Sequence, residues 1–341
     1  MDIMNYLLGF VRKNPFLVSG LSVFIFFVGW FAHARIPTGA FLPVDPALRA
    51  NGDYKYVNQL LACGTWESVD SDQYSGLKKK IVGFLAENSS AGRITNVGIY
   101  FRELKGGRWF GINENANFSP ASLLKVPLMI AYLKVAEKNP QLLNTLVQYD
   151  GSFDLNKDEY FRSPYWISAG SVYKVEDLVK AMTVNSDNNA TILLFNTINH
   201  ESLAEVYTDL GLSIPADNTP TVDFISPKAF SYFFRVLYNA TYLTADFSEK
   251  ALDLLGRAQF PRGIQAGVPE GTKVAQKFGE RSVFTKKNIL EFRELHDCGI
   301  VYSPSRPYVL CVMTRGKDFN ELVSVIQNVS AMTYAEVAKS R

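Results

Sequence analysis

Phe118-Ser119-Pro120-Ala121-Ser122-Leu123-Leu124-Lys125-Val126-Pro127 decides how the rest of the chain is read. The apolar residues around it predict a helix from Ser122 to about Lys138, ending before Pro140. A serine and a lysine three apart on a helix share one face, one turn apart. An amine then lies within reach of a hydroxyl. A free serine hydroxyl is a weak nucleophile at neutral pH and needs such a base beside it. Ser-x-x-Lys is also a common pattern, so its meaning depends on what the flanking sequence supplies.

Upstream, a helix is predicted over about Gln73–Asn88, followed by two strand-like runs. These are Asn96–Leu104 and Arg108–Ile112, joined by Gly106-Gly107, which reads as a hairpin turn. Downstream to about Leu255 the pattern is mostly helical: Val175–Thr183, Asn188–Ile198, Leu203–Leu210, a helix opened by Ser226-Pro227, and Ser248–Ala258. Strand patterns return at Lys273–Arg281, Glu294–Tyr302 and Tyr308–Thr314. Asp318 then caps a helix to about Lys339. The order predicts an α/β (α+β) fold: a five-stranded antiparallel sheet, split in sequence by an all-helical subdomain and covered by the two terminal helices. A cleft between sheet and helical block is the natural place for a site.

Composition narrows the function. The 341 residues are 47% hydrophobic and 20% charged, with a net charge of +2, which argues against a nucleic-acid binder. No His-x-x-x-His or Cys-x-x-Cys pair occurs, so no metal and no cofactor is expected. His33, His200 and His296 stand in no triad context. Of the three cysteines, Cys311 reads as a small buried hydrophobe. Cys63 with Cys298 is the pairing to test as a disulfide, against two buried thiols.

Residues 1–15 read as a cytoplasmic N-terminus and 16–34 as a transmembrane anchor. The apolar run from Phe16 to Ala34 spans roughly 28 Å at about 1.5 Å per residue, close to a bilayer core. Arg12 and Lys13 precede it, which places the body of the protein outside the cytoplasmic membrane as a single-pass protein. Ala32-His33-Ala34 also has the look of a cleavage site. Residues 35–71, with Pro37, Pro43 and Pro46, read as an extracytoplasmic linker, and 72–341 as the folded domain. Tyr56 to Ala62 reads as a short apolar helical piece that docks on that domain.

Two more motifs join Ser122 and Lys125. Asn185-Ser186-Asp187-Asn188 precedes an apolar helix, and Gln276-Lys277-Phe278-Gly279-Glu280 lies on a predicted strand. Ser-x-x-Lys, Ser-Asp-Asn and Lys-x-Gly in that order resemble the class A β-lactamases and penicillin-binding proteins. The resemblance covers about Gln73 to Ser340. It implies that Ser122 is the acylated nucleophile and Lys125 its base, with a pKa lowered by burial and a nearby cation, Lys277. It implies that Ser186 passes a proton to the leaving nitrogen and that Asn188 binds the substrate amide. Lys277 and Gly279 lie on the substrate-binding strand, Lys277 drawing the substrate carboxylate. Asp187 braces its turn. The backbone N–H groups of Ser122 and Glu280 form the oxyanion hole. The expected partner is a β-lactam or a peptidoglycan peptide of D-Ala-D-Ala type, with no nucleic acid.

Two positions depart from the family. Phe278 stands where Thr or Ser is usual, removing a hydroxyl expected to bind the substrate carboxylate. The connection from Leu210 to Ser226 has no Glu, and Asp217 and Asp223 are its only carboxylates. Without a base aimed at the ester, deacylation is expected to be slow. The alternative is a non-catalytic wall-binding module that kept the fold.

Overall fold

The computed structural model describes residues 54–58, 72–212, 222–304 and 306–339. The segments read as N-terminus (1–15), anchor (16–34) and most of the linker, together with Cys63 and Asp217, lie outside the described residues. Among the described residues, no helix is long and apolar enough to cross a membrane.

Helix α1 (Ser75–Ser90) buries Leu77, Ile81, Leu85 and Asn88, a stripe at three- and four-residue steps. Strands β1 (Ile94–Glu103) and β2 (Trp109–Ile112) form the expected hairpin, with Gly107 in the left-handed region at φ 69°. Helix α2 (Lys125–Lys138) follows a short 3-10 turn. Strands β3 (Leu146–Tyr149) and β4 (Ser171–Lys174) pair as a separate two-stranded sheet that the pattern did not predict. Then come α3 (Val175–Val184), α4 (Asn188–Thr197), α5 (His200–Asp209), α6 (Pro227–Asn239) and α7 (Ala245–Gly256). In α6 the Ser226 side chain accepts from Ala229 N and Pro227 occupies the first turn, as expected.

Strands β5 (Val274–Phe284), β6 (Leu290–Val301) and β7 (Tyr308–Gly316) complete an antiparallel sheet of order β2-β1-β7-β6-β5, and α8 (Phe319–Lys339) closes the fold. The β5–β6 hairpin is longer than the apolar pattern suggested. Its outer ends carry charged residues that the pattern reads as loop.

The sheet is buried on both faces. In β7, Val309, Cys311 and Met313 face the helical block, while Tyr308, Leu310 and Val312 face the layer of α1 and α8. The two-residue alternation of a strand produces this division, and two covered faces explain why the strand is apolar throughout.

The disulfide differs from the expected pairing. Cys298 and Cys311 are register partners on β6 and β7, with Cα atoms 3.9 Å apart, and are joined to each other. Cys298 is therefore not available to Cys63, and Cys311 is not a free thiol. Strand register sets this bond, and spacing alone did not reveal it.

Residues 54–58 dock on the domain. The Glu249 carboxylate accepts from the backbone N–H groups of Lys55, Tyr56 and Val57, and Asn58 N donates to Tyr238 O. Tyr56 and Val57 are buried there, so this part of the docking expectation is seen, as bent rather than helical chain.

Candidate functional site

Ser122 does not lie in α2 itself. It sits in the 3-10 turn Ala121–Leu124, and the α-helix begins at Lys125. Residues three apart eclipse in a 3-10 turn, so Ser122 and Lys125 still share a face. Ala121 is held in the left-handed region at φ 46°, a conformation costly for a residue with a Cβ. Leu123 N donates to Pro120 O at 2.9 Å, which tightens the turn. Ser122 is half-buried, and Lys125 is buried.

The turn is braced from the sheet by His296, which sequence reasoning left without a role. Its ring is fully buried on β6, with Nε2 donating to Ser119 O at 2.9 Å. Nδ1 accepts from Thr314 N at 3.3 Å. A carbonyl only accepts and an amide N–H only donates, so the two partners fix the neutral tautomer. Burial pushes the ring pKa down to about 4.

The Ser-Asp-Asn turn meets Lys125 directly. Ser186 is left-handed, at φ 54°, which turns both of its oxygens toward the amine. Lys125 Nζ donates to Ser186 O (2.5 Å), Ser186 Oγ (3.1 Å) and Asn188 Oδ1 (2.7 Å). Three acceptors are the full complement of an ammonium. Asp187 caps α4 through Ala190 N at 3.0 Å, and its carboxylate also takes Asn156 Nδ2 and Ile167 N. Among the described residues Asp187 is thus a brace of the turn.

Lys277 enters from β5, the edge strand. Its amine donates to Ser186 Oγ at 2.9 Å and to Phe278 O at 2.9 Å. Both lysines are buried, which lowers their affinity for a proton. Lys125 falls to about 8, against the opposing pull of Glu159, Asp187 and Glu280. Lys277 falls well below the usual lysine range, through burial and then the charge of Lys125.

Gly279 supplies a close approach. A Cβ there would stand 3.1 Å from Pro120 O and 3.2 Å from both Ser122 N and Leu123 N. Only a bare Cα lets β5 lie this near the Ser122 turn. Phe278 is buried beside it, stacked on Phe260 with ring centroids 4.1 Å apart and edge-on to Phe161. Its ring joins an aromatic cluster, and the Lys277 amine lies 4.4 Å from its centroid.

Sequence reasoning missed the 21 residues between β3 and β4. They run from the start of α4 to β5. On the helical side, Leu155 N donates to Asn189 Oδ1 at 2.7 Å, and Asn188 N to Asn156 Oδ1 at 2.7 Å. On the sheet side, the Glu280 carboxyl accepts from Phe161 N (2.8 Å) and Tyr160 N (3.2 Å). Between them stands Glu159, which accepts from Asn188 Nδ2 and lies beside the Glu280 side chain. Burial, then that contact with Glu159, raises the Glu280 carboxyl to about 8. In the sequence, Lys157-Asp158-Glu159 reads as a solvated charged run, and no local signal marks Glu159.

In the connection after α5, Asp223 is tied to Arg315, which also pairs with the buried Glu294 at 2.6 Å. Among the described residues no group of three or more His, Cys, Asp or Glu side chains stands together as a metal site.

The sequence pattern of the "Beta-lactamase enzyme family" matches residues 76–337. No curated protein matches the chain. Among solved structures, PBP-A is 20% identical with a TM-score of 0.63, covering 78% of this chain and 97% of its own. A mutant of PBP-A, solved as an acyl-enzyme complex with penicillin G, is 21% identical over the same shares, with a TM-score of 0.63. The β-lactamase from Sphaerobacter thermophilus DSM 20745 is 22% identical, with a TM-score of 0.62, covering 79% of this chain and 99% of its own. At these identities the structures show a common fold.

Proposed function

The chain belongs to the beta-lactamase enzyme family, and from that premise we propose that it is an active-site-serine hydrolase acylated at Ser122 by β-lactams or by peptidoglycan peptides of D-Ala-D-Ala type. One observation carries the reading: two buried lysine amines, Lys125 and Lys277, meet on the single hydroxyl of Ser186 beside the Ser122 turn. Burying two amines is costly, and a fold that needed only packing would not converge them on one oxygen.

Once Lys125 has shed a proton, its lone pair can take the Ser122 proton as the hydroxyl attacks the acyl carbonyl. Ser186, in contact with both amines, is the group able to return a proton to the leaving nitrogen. The N–H groups of Ser122 and Glu280 stabilise the developing oxyanion, an effect worth a few kcal/mol per donor. Release of the acyl group is slow in this scheme. The one carboxylate in the described part of the connection after α5, Asp223, is neutralised by Arg315. Asn188 and Lys277 would bind the substrate amide and carboxylate.

We place the domain outside the cytoplasmic membrane, tethered through residues 16–34, where peptidoglycan is the substrate at hand. A second reading, a wall-binding module without catalysis, is favoured by one observation: Asn188 already has internal partners. A fluorescent penicillin decides between them. The expected result is a stable adduct on Ser122, found by peptide mass, that is lost in Ser122→Ala. Folded protein that takes no label at millimolar penicillin would overturn the acylation reading.

A further inference from the structure

Asn188 has no hydrogen-bond donor left for a substrate carbonyl. An amide group offers two N–H donors and one carbonyl oxygen. The two donors go to Leu155 O at 3.0 Å and to the Glu159 carboxylate. The oxygen accepts from Lys125 Nζ at 2.7 Å. A substrate carbonyl binding here must displace one of these partners. The Leu155 carbonyl is fixed by its own chain, since Leu155 N is held by Asn189 and the next residue by Asp187 and Asn188. Glu159 reaches Asn188 through its side chain, which can be displaced without moving the backbone.

Glu159 also stands where substrate charge belongs. It is the carboxylate whose charge acts most strongly on Lys125, and among the acids it acts most strongly on Lys277. A second contact holds it in place. It lies beside the Glu280 side chain of β5, and Glu280 holds Tyr160 N and Phe161 N, the two residues that follow Glu159. Phe161 then seats on Phe260, Phe278 and Phe319. Phe278 thus helps anchor the segment that covers the site.

We propose that Glu159 is a resident stand-in for the substrate: it occupies the amide subsite at Asn188, bridges to Glu280, and bars the cleft until a carboxylate-bearing acyl donor displaces it. Glu159 is then a positioning residue that sets how fast Ser122 is acylated, and not a group that reacts. The kinetic consequence rests on the acyl-serine reading; the closed clasp does not.

Two measurements on the full chain separate these. The first is hydrogen–deuterium exchange of residues 154–167 in wild type, Glu159→Ala and Glu159→Gln. The second is the initial second-order rate of labelling by a fluorescent penicillin. Glutamine can accept from Asn188 and donate to Glu280, so E159Q keeps the clasp; alanine does neither. The amides of Tyr160 and Phe161 should exchange at least about tenfold faster in E159A, and penicillin should label it at least about tenfold faster, while E159Q stays near wild type in both. Rescue by glutamine excludes a general packing defect, and Glu159→Ser replaces the alanine variant if that fails to fold. Unchanged exchange in E159A overturns the proposal. So does labelling of E159A that is no faster than that of E159Q. If no variant is labelled while exchange in E159A rises, the acyl-serine reading falls and the clasp stands.

Discussion

Lys125 and Lys277 hold their amines 3.1 and 2.9 Å from one oxygen, the Ser186 hydroxyl. That oxygen is the shared acceptor for both. Removing it leaves each buried amine short of a partner and removes the group that connects them. Ser186→Ala is expected to slow acylation of Ser122 by about 10²- to 10⁴-fold, the range of a lost proton-transfer group. Stopped-flow labelling measures it, with circular dichroism to confirm the fold. A loss below threefold would remove Ser186 from the proton path.

The Lys125 amine spends all three donors on Ser186 and Asn188, so it must lose a proton before it can accept one from Ser122. Its pKa, lowered by burial to about 8, locates that event. Below this value the rate should fall about tenfold per pH unit; above it the rate should level off. The second-order rate of penicillin labelling between pH 6 and 9.5 tests this. A rate flat across pH 7 to 8.5 would show that Lys125 is not the titrating base.

Gly279 stands where any side chain meets the Ser122 turn, with Pro120 O, Ser122 N and Leu123 N all within 3.1–3.2 Å of a Cβ. Gly279→Ala pushes β5 away by a few tenths of an ångström and shifts Glu280 N relative to Ser122 N. Misplacement of this kind costs activity more than stability. A drop of about tenfold in acylation rate is expected, with the melting temperature within a few degrees of wild type. Equal acylation rates in the two proteins would mean the approach is incidental.

The disulfide gives a prediction independent of the site. Non-reducing peptide mapping should recover Cys298 linked to Cys311. Cys311→Ala removes the crosslink of a 13-residue separation and is expected to cost about 3 kcal/mol in urea unfolding under oxidising conditions. Recovery of a Cys63–Cys298 peptide would contradict the Cys298–Cys311 bond.

What the sequence made legible and what it hid divide along physical lines. Ser122, Lys125, Ser186, Asn188 and Lys277 are read from three short motifs whose residues lie together in sequence, although Ser122 and Ser186 sit in turns rather than in a regular helix or strand. The sheet was legible through runs such as Tyr308–Thr314, apolar on both faces. The pair β3 and β4 was not, since four-residue strands with exposed alternate positions carry almost no periodic signal. Glu159 was hidden for a different reason. Its position depends on Asn188 and Glu280, 29 and 121 residues further along the chain, and nothing in its neighbours encodes that meeting. Phe278 could be read as a loss of hydroxyl chemistry, but the aromatic seat formed by Phe260 and Phe161 appears only in three dimensions.

His296 yields the last prediction. Its neutral ring joins Ser119 O to Thr314 N inside the sheet, and protonation would place a proton on Nδ1, the nitrogen that accepts from Thr314 N–H. Burial lowers its pKa from 6.5 to about 4 in the folded state. Between those values the unfolded chain binds more protons than the folded one, so this contribution is fully present above pH 6.5 and declines as pH falls toward 4. The span corresponds to about 3 kcal/mol. Asp297, one residue away, acts in the opposite sense: burial raises it to about 7, and its contribution is lost as pH rises through that value. The two partly cancel in wild type, so only a difference measurement isolates the histidine. His296→Gln should be less stable than wild type at pH 7, with the gap narrowing by up to about 3 kcal/mol at pH 4, measured by urea unfolding at each pH. A gap independent of pH would mean that the ring is not held neutral, and that Ser119 is not tied to the sheet through an uncharged imidazole.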